Sequence, residues 1–269
     1  MLLPALGLLA VCFFAPVGWF LSSALSEAPS IAAGVAKAME LVTSPVSVRV
    51  IYNTLFIAVV VTGVTLLIGY PISYMLTRLK GLAFNLLLAC VIVPYFTSVV
   101  VRTYAWMVLL GRNGVINQVL VSSQIAARPF EFMYNTLGVV IGMTYVLLPY
   151  MVLTLFTAMR GLDPNLLQAA AGMGASALSI FRRVFFPLTL PGVTAGSLIV
   201  FMLAIGYFIT PALMGGARDM MIGQLIEREV EMNQNWFASA VLTLLLLVVI
   251  LSLYGVYRRL GGNRARALP

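Results

Sequence analysis

The sequence predicts an all-α integral membrane protein with six transmembrane helices, from its composition and from the spacing of its charged residues. Of the 269 residues, 62% are hydrophobic and only 9% are charged, and the mean hydropathy is +1.05. Soluble domains are about half apolar and about a quarter charged. A water-soluble fold of this length cannot cover so much apolar side chain, so we expect lipid to surround the protein.

Six stretches without Asp, Glu, Lys or Arg divide the chain. A transmembrane helix needs about 20 mainly apolar residues, so each stretch has room for one span and none has room for two. The stretches cover residues 1–26, 50–77, 81–101, 132–159, 184–217 and 232–257.

The first stretch, residues 1–26, is expected to be an uncleaved first helix. It has no basic residue before its apolar run, and that run is longer than in a typical secretory signal peptide. Cleavage near the SSALSEA segment at its end is the alternative.

Two shorter stretches and a repeated tripeptide fill in the elements between the spans. Residues 113–127 fit a surface or partly embedded helix, and residues 164–181 are too polar for a span and fit interfacial or cytoplasmic structure. Asn-Thr-Leu occurs at 53–55 and at 135–137. Because Asn and Thr cap helices well, the repeat predicts that two spans begin alike.

Loop charge predicts the orientation. With six spans both termini lie on one side, whose loops carry nine basic residues and one acid, Asp163, whereas the other side carries seven of each. The positive-inside rule places the first side, with both termini, in the cytoplasm. Its basic residues are Arg78, Lys80, Arg160, Arg182, Arg183, Arg258, Arg259, Arg264 and Arg266. Those of the outer side are Lys37, Arg49, Arg102, Arg112, Arg128, Arg218 and Arg228.

The residues present exclude an energy source or an enzymatic centre within the predicted spans. The six stretches hold no charged residue and the chain has no histidine, whereas ion-coupled transporters usually keep such groups in the membrane. No GxxxxGK[ST] phosphate loop occurs, and Cys12 and Cys90 lie in apolar runs typical of buried thiols. We therefore expect no catalytic residue, metal site or cofactor. The net charge of +8 follows from topology, and no basic cluster suited to nucleic acid is present.

The predicted cytoplasmic loop from Arg160 to Gly192 carries the clearest local signals. Asp163 is a natural N-cap with Pro164 at the first helical position, and Gly172 and Gly174 are expected to stop the short helix. A second helical stretch, 176–186, should lead to two prolines at which the fifth span begins. Its phenylalanines, expected to anchor this elbow at the membrane, are Phe181, Phe185 and Phe186.

The loop resembles the EAA loop of ABC-importer permeases, the type I transmembrane domain family. Ala169-Ala170, Gly174-Ala175 and Leu190-Pro191 match the family pattern, and Gln168 stands where the family often has Glu. Gln keeps the length of Glu and loses its charge. The resemblance implies that two ATPase subunits dock here and transmit their closure to the spans. The docking residues it implies are Asp163, Leu167, Gln168, Ala169, Ala170, Gly174 and Ala175.

Three further segments resemble permeases of the spermidine/putrescine type, namely 92–117, 135–153 and 211–226. The resemblance implies a second permease subunit that is a paralogue of this one, an external substrate-binding protein and a bacterial inner membrane location. Aromatic faces attract cations, and outer acids can concentrate them at a pore mouth. The residues predicted to line the substrate path on this basis are Trp106, Tyr145, Tyr150, Tyr207 and Asp219.

The expected organisation has three parts. Residues 1–48 form the first transmembrane helix and an external loop, 49–258 the permease core with the coupling loop 160–187, and 259–269 a basic cytoplasmic tail. Two alternatives stay open: a secondary transporter or channel of unrelated fold, which would work alone without ATP, and a membrane scaffold that binds no ATPase.

Overall fold

The structure, a computed structural model, describes residues 2–26 and 31–265, and every regular element within those ranges is helical. The α-helices are α1 (Leu2–Ser26), α2 (Ile31–Thr43), α3 (Pro45–Arg78), α4 (Gly81–Ile92), α5 (Val99–Leu110), α6 (Val115–Ser122), α7 (Thr136–Arg160), α8 (Pro164–Gly172), α9 (Ala177–Ile180), α10 (Phe186–Ile205), α11 (Ile209–Met214), α12 (Ile222–Glu231) and α13 (Trp236–Ala265). A 3₁₀ turn (Val93–Phe96) follows α4, and a π-helical turn (Phe181–Phe185) joins α9 to α10.

Four helices in the described ranges are long and apolar enough to cross a membrane, and they match four of the six predicted spans. They are α3, α7, the continuous helix Ala177–Ile205 and the Trp236–Gly255 part of α13. A fifth is reached if the bent pair Gly81–Phe96 and Val99–Ser122 counts as one span. In α1 the apolar helical stretch is Gly7–Phe20, shorter than a full span.

Capping residues fix where two of the spans begin. Ser44 accepts a hydrogen bond from the Ser47 N–H at 3.2 Å, with Pro45 at the first position of α3. The predicted cap at Asn135 is confirmed, since its side chain accepts from the Gly138 N–H at 3.0 Å. The matching prediction for Asn53 is wrong, because Asn53 lies inside α3, which begins eight residues earlier.

The core forms where α3, α7 and α10 pack together. Its fully buried side chains are large and flexible, with Met143, Met151 and Leu155 along α7. Glycines bring the backbones close: a Cβ placed on Gly192 of α10 would lie 2.3 Å from the Cβ of Ala158. Small residues at helix contacts are the usual way to pack helices in lipid, where apolar burial between helices gives little driving force.

The third predicted span, 81–101, differs from the straight helix expected. The chain is helical from Gly81 to Phe96, breaks at Thr97–Ser98 and turns through 108° into α5. α5 then packs against α7 and α11 instead of lying in an outer loop. The prediction placed span ends at charged residues, and the break occurs at uncharged ones. It changes the position of Arg102, the charged residue that had marked the end of the predicted span.

The fifth span begins earlier than predicted. Pro187 and Pro191 lie inside a continuous helix that starts at Ala177, not at its beginning. Proline has no N–H and crowds the carbonyl four residues before it. The π turn just ahead of Pro187, in which the Phe186 N–H donates to the Phe181 carbonyl, widens the helix there and relieves that crowding.

The two ends of the chain also differ from expectation. The predicted external loop contains α2, which contacts α3 and α13. The predicted tail at 259–269 is helical as far as Ala265, as a continuation of α13, and residues 266–269 lie outside the described residues.

Candidate coupling loop and pathway site

The loop between α7 and the fifth span carries a helix with both ends capped. The Asp163 carboxylate accepts a hydrogen bond from the Asn165 N–H at 2.9 Å, as predicted. At the other end Gly174 has φ +80°, a conformation that favours glycine. Around it, the Gly174 N–H donates to Ala171 and the Ala175 N–H to Ala170, at 3.0 and 3.2 Å. These two bonds form a Schellman motif, so the end of α8 is fixed and the turn after it has a defined direction.

The predicted docking residues divide into two faces of α8. Ala170 is buried and Leu167 packs against the core, so these two fasten the helix to the membrane body. The exposed docking residues are Asp163, Gln168, Ala169 and Gly174, and Ala175 is half-buried. Sequence reasoning missed the apolar residues beside them, Leu166, Met173 and Leu178, which are 48%, 83% and 67% exposed. An exposed apolar patch on a capped helix is typical of a protein-binding surface.

An aromatic cluster joins this loop to α3. Phe185 is buried and meets the Tyr74 ring edge to face at 5.3 Å, while Phe181 meets Tyr70 and Tyr74. The expected membrane anchoring is therefore wrong for Phe185, which ties the elbow to α3 inside the protein. Arg78 extends the contact, with Nη2 donating to the Tyr74 hydroxyl at 2.9 Å.

A groove of about 350 Å³ opens between α8 and this cluster. Leu167 and Gln168 line one wall and Tyr74 and Phe181 the other. The walls belong to α8 and to two membrane helices, so a movement of α8 changes the groove directly.

A second site lies around Arg102, deep among the helices. Arg102 of α5 is buried, and its Nε and Nη1 atoms have no hydrogen-bond partner within the described residues. Tyr150 of α7 and Tyr207, which follows α10, lie within electrostatic range of the guanidinium. Sequence reasoning assigned Arg102 to an outer loop, because the break before α5 has no sequence signal stronger than Thr-Ser.

Two of the five predicted path residues, Tyr150 and Tyr207, are those within electrostatic range of Arg102. The rings of Trp106 and Tyr145 pack edge to face on each other at 5.4 Å. Trp106 lies one helical turn beyond Arg102, so it shares a face of α5 with it.

Asp219, the fifth, lies elsewhere and is buried in a loop contact. Its two oxygens accept from the Thr136 hydroxyl at 2.5 Å and from the Gly216 N–H at 3.0 Å. Because both of its oxygens are bonded, the Asp219 carboxylate holds the loop before α12 against the start of α7.

The repeated Asn-Thr-Leu tripeptide also acts on this loop. Asn53 donates to the Arg218 carbonyl at 2.5 Å, and the Thr54 hydroxyl accepts from the Ile222 N–H at 2.8 Å. With Thr136 on Asp219, both copies hold the segment before α12. Since α3 and α7 meet this loop near their starts and the α8 loop at their ends, the two helices run in the same direction.

The fold and these two sites define a class of protein: a membrane subunit whose spans connect an exposed, capped helix to a buried polar site. Residues 65–264 match the binding-protein-dependent transport system inner membrane components, and the chain belongs to that family. It is therefore a multi-pass inner-membrane permease subunit of an ABC importer, a class in which a separate subunit hydrolyses ATP.

A curated relative agrees with this assignment, and two solved structures share the fold. The spermidine/putrescine transport system permease protein PotB of Haemophilus influenzae is 37% identical over 216 residues, covering 80% of this chain and 76% of the relative. A bacterial alginate ABC transporter, solved with an alginate-bound periplasmic protein, matches with a TM-score of 0.72 at 18% identity, over 97% of this chain and 93% of that one. The MetNI methionine ABC transporter, in inward-facing conformations, matches with a TM-score of 0.63 at 19% identity. The match covers 80% of this chain and 94% of that one.

Proposed function

We propose that this chain is one of two permease subunits of an importer for polyamine-class solutes such as spermidine and putrescine. A binding protein on the outer side delivers the solute, and two ATPase subunits work from the cytoplasmic side. The polyamine assignment is supported by a relative named as a spermidine/putrescine permease, whose match covers four-fifths of this chain.

The observation that carries the proposal is the double-capped, exposed helix α8, which Leu167 and Ala170 fasten to the membrane body, followed by an elbow that aromatic contacts join to α3. Its exposed face, with Gln168 and Met173, is the surface that an ATPase groove would take. Closure of the ATPase pair on ATP would move α8, and the contact of Phe185 with Tyr74 would carry that movement to α3. Because Gln168 stands where the family often has Glu, the contact at this one position would be uncharged.

The topology we propose has six spans with both termini in the cytoplasm. α1 supplies the first span and the bent α4–α5 unit the third, alongside the four long apolar helices. α3 is 34 residues long, about 51 Å at 1.5 Å per residue, so its ends reach both surfaces of the bilayer. Nine basic residues against one acid on the α8 side support a cytoplasmic position for that loop.

The solute path we propose runs past the aromatic group around Arg102. Trp106, Tyr145, Tyr150 and Tyr207 supply ring faces there, whereas Asp219 shapes the outer loop through its bonds to Thr136 and Gly216.

The test is reconstitution of the complete importer in proteoliposomes. We expect the chain to co-purify with its ATPases and its second permease subunit, and to support ATP-dependent spermidine uptake only with the binding protein present. ATP-independent uptake by the chain alone would establish the secondary-transporter or channel alternative. Failure of every ATPase to bind would establish the scaffold alternative.

A further inference from the structure

Arg102 is a cation buried without a counter-charge in the described part of the chain. It is 8% exposed, and Nε and Nη1 are enclosed by the protein without a hydrogen-bond acceptor. A guanidinium stays protonated in proteins, so the positive charge itself is enclosed. An unpaired buried charge is strongly unfavourable, and proteins keep one only where something pairs with it.

The depth of Arg102 along the spans makes its buried, unpaired charge unusual. Tyr150, which lies within electrostatic range of the guanidinium, is fifteen residues beyond the N-cap Asn135 of α7. At 1.5 Å per residue it lies about 22 Å along a helix of about 37 Å, near the middle of the span. A charged residue at this depth is rare and generally functional.

The groups around the guanidinium are polar but neutral. The Tyr207 hydroxyl is buried and also lacks a hydrogen-bond partner, and the Thr103 and Thr210 hydroxyls bond to each other at 3.3 Å. Phenols and alcohols are uncharged near neutral pH, so none of these groups balances the charge of Arg102. Arg102 follows the Ser98 N-cap by four residues, so the positive end of the α5 dipole adds to the same charge.

The chain has eight acids, and the seven that the structure describes do not bond to Arg102. Asp219 is committed to Thr136 and Gly216, and Asp163 caps α8 at the far end of α7. The eighth, Glu27, lies outside the described residues.

We propose that Arg102 is an anion-binding residue of the transport path, whose guanidinium is completed by a carboxylate from outside this chain. The carboxylate belongs either to the transported solute or to the second permease subunit. The inference rests on the proposed function to the extent that the chain works as one of a permease pair. It also limits the substrate class: a purely cationic polyamine passes this point only if the second subunit neutralises Arg102, whereas an amino acid-like amine pairs with it directly.

The experiment uses the complete importer in proteoliposomes with Arg102→Met, Arg102→Lys and the matched control Arg112→Met. Arg112 lies just beyond the end of α5 and is exposed. We expect Arg102→Met to lower ATP-dependent uptake roughly tenfold or more, since truncating one member of a buried charge pair is costly. Uptake by Arg102→Lys should lie between that of the parent and that of Arg102→Met, because lysine keeps the charge but lacks the planar set of donors of a guanidinium. Uptake by Arg112→Met should stay within about twofold of the parent. Parent-like uptake of both putrescine and ornithine by Arg102→Met would overturn the proposal.

Putrescine and ornithine separate the two sources, because they differ only by a carboxylate. If the solute supplies it, the parent prefers ornithine, and Arg102→Met loses ornithine uptake and keeps putrescine uptake. If the second subunit supplies it, both uptakes fall together, and neutralising one acid of that subunit restores them. If Glu27→Gln reproduces the Arg102→Met loss, the pair is internal to this chain and the proposal is wrong.

Thermal unfolding of the solute-free complex gives a second readout that does not need the polyamine assignment. If the parent transports neither amine, the polyamine assignment fails, while the Tm of Arg102→Met still tests the anion site. A lower Tm supports a carboxylate in the second subunit, because that group is left buried and unpaired. A higher Tm supports a charge left open for solute. A Tm within about 1 °C of the parent contradicts both.

Discussion

The Thr136 hydroxyl donates to the Asp219 carboxylate at 2.5 Å, joining residues 83 positions apart in the chain. The second oxygen of the same carboxylate accepts from the Gly216 N–H, so the loop before α12 is held to the start of α7. The Tyr134 N–H donates to the Met214 carbonyl at 2.9 Å beside it. The loop is therefore a fixed part of the core fold.

Replacing Asp219 should destabilise the protein. Asp219→Ala leaves the Gly216 N–H and the Thr136 hydroxyl without their acceptor, which costs about 1–3 kcal/mol for buried groups. We expect a lower Tm for the purified permease in detergent, measured by tryptophan fluorescence. Glu231→Ala is the matched control, because Glu231 is an exposed acid of the same outer region. Equal Tm values for both variants would mean that the Asp219 contacts contribute nothing.

Changing the turn after α8 should uncouple transport. Gly174 has φ +80° and open space around its Cβ position, so a side chain there is strained by the backbone and not by a clash. Gly174→Asp is expected to abolish ATP-dependent uptake while membrane insertion is retained, because the Schellman turn fixes the direction of the docking helix. β-Branched Gly174→Val should abolish uptake as well and lower the Tm further, since Asp tolerates the left-handed region better.

The control for this turn lies two residues away. Gly172 is inside α8 with open space around it, so Gly172→Ala should leave uptake unchanged or slightly increase stability. Uptake at the parent level in Gly174→Asp, measured against this control at equal membrane abundance, would remove the coupling role from the turn.

Close packing of α10 on α7 gives a prediction with a built-in rescue. Gly192→Ala places a methyl group 2.3 Å from the Cβ of Ala158, so the helices must separate. Overpacking of this kind costs about 1–3 kcal/mol. The double variant Gly192→Ala, Ala158→Gly moves the methyl group to the other helix and should recover most of the lost Tm. Gly63→Ala, which meets open space, is the neutral control. A double variant no more stable than Gly192→Ala alone would contradict the packing explanation.

The sequence was most informative where a local rule decides the structure. The caps at Asp163 and Asn135 and the turn at Gly174 depend on a few neighbouring residues, and the structure confirms all three. Asn53 has the same tripeptide as Asn135, yet it lies mid-helix, because Ser44 and Pro45 begin α3 first. A capping residue acts only where the chain has not already become helical.

Arg102 and Phe185 mark the limit of sequence-based prediction. Counting charges treats each charged residue as a boundary, which fails where a helix breaks at uncharged residues and turns a charge inward, as at Thr97–Ser98. Phe185 was assigned to the lipid surface from its helical face, but the π turn rotates that face toward Tyr74. The positions of Arg102 and Phe185 both depend on which distant helix packs against them, and the local sequence does not contain that information.

The aromatic elbow should carry movement from α8 to α3, so its loss should separate ATP hydrolysis from transport. Phe185→Ala removes a buried ring that meets Tyr74 at 5.3 Å, and such a truncation costs about 3–5 kcal/mol in stability. We expect uptake to fall more than ATPase activity in the assembled importer. Phe186→Ala, in which the adjacent ring is 41% exposed, should show a smaller effect on both. A proportional loss of both activities in Phe185→Ala would indicate simple destabilisation.

Cysteine labelling tests the orientation on which the docking proposal depends. Gln168 and Ile125 are both exposed, one on α8 and the other after α6. In a background with Cys12 and Cys90 replaced by serine, Gln168→Cys should react with a membrane-impermeant maleimide only in inside-out vesicles. Ile125→Cys should react only in right-side-out spheroplasts. Both predictions follow from the excess of arginine and lysine beside α8, since basic loops are retained in the cytoplasm. Labelling of Gln168→Cys from the outer side would place α8 beyond the reach of any ATPase, and the docking role of this helix would then be wrong.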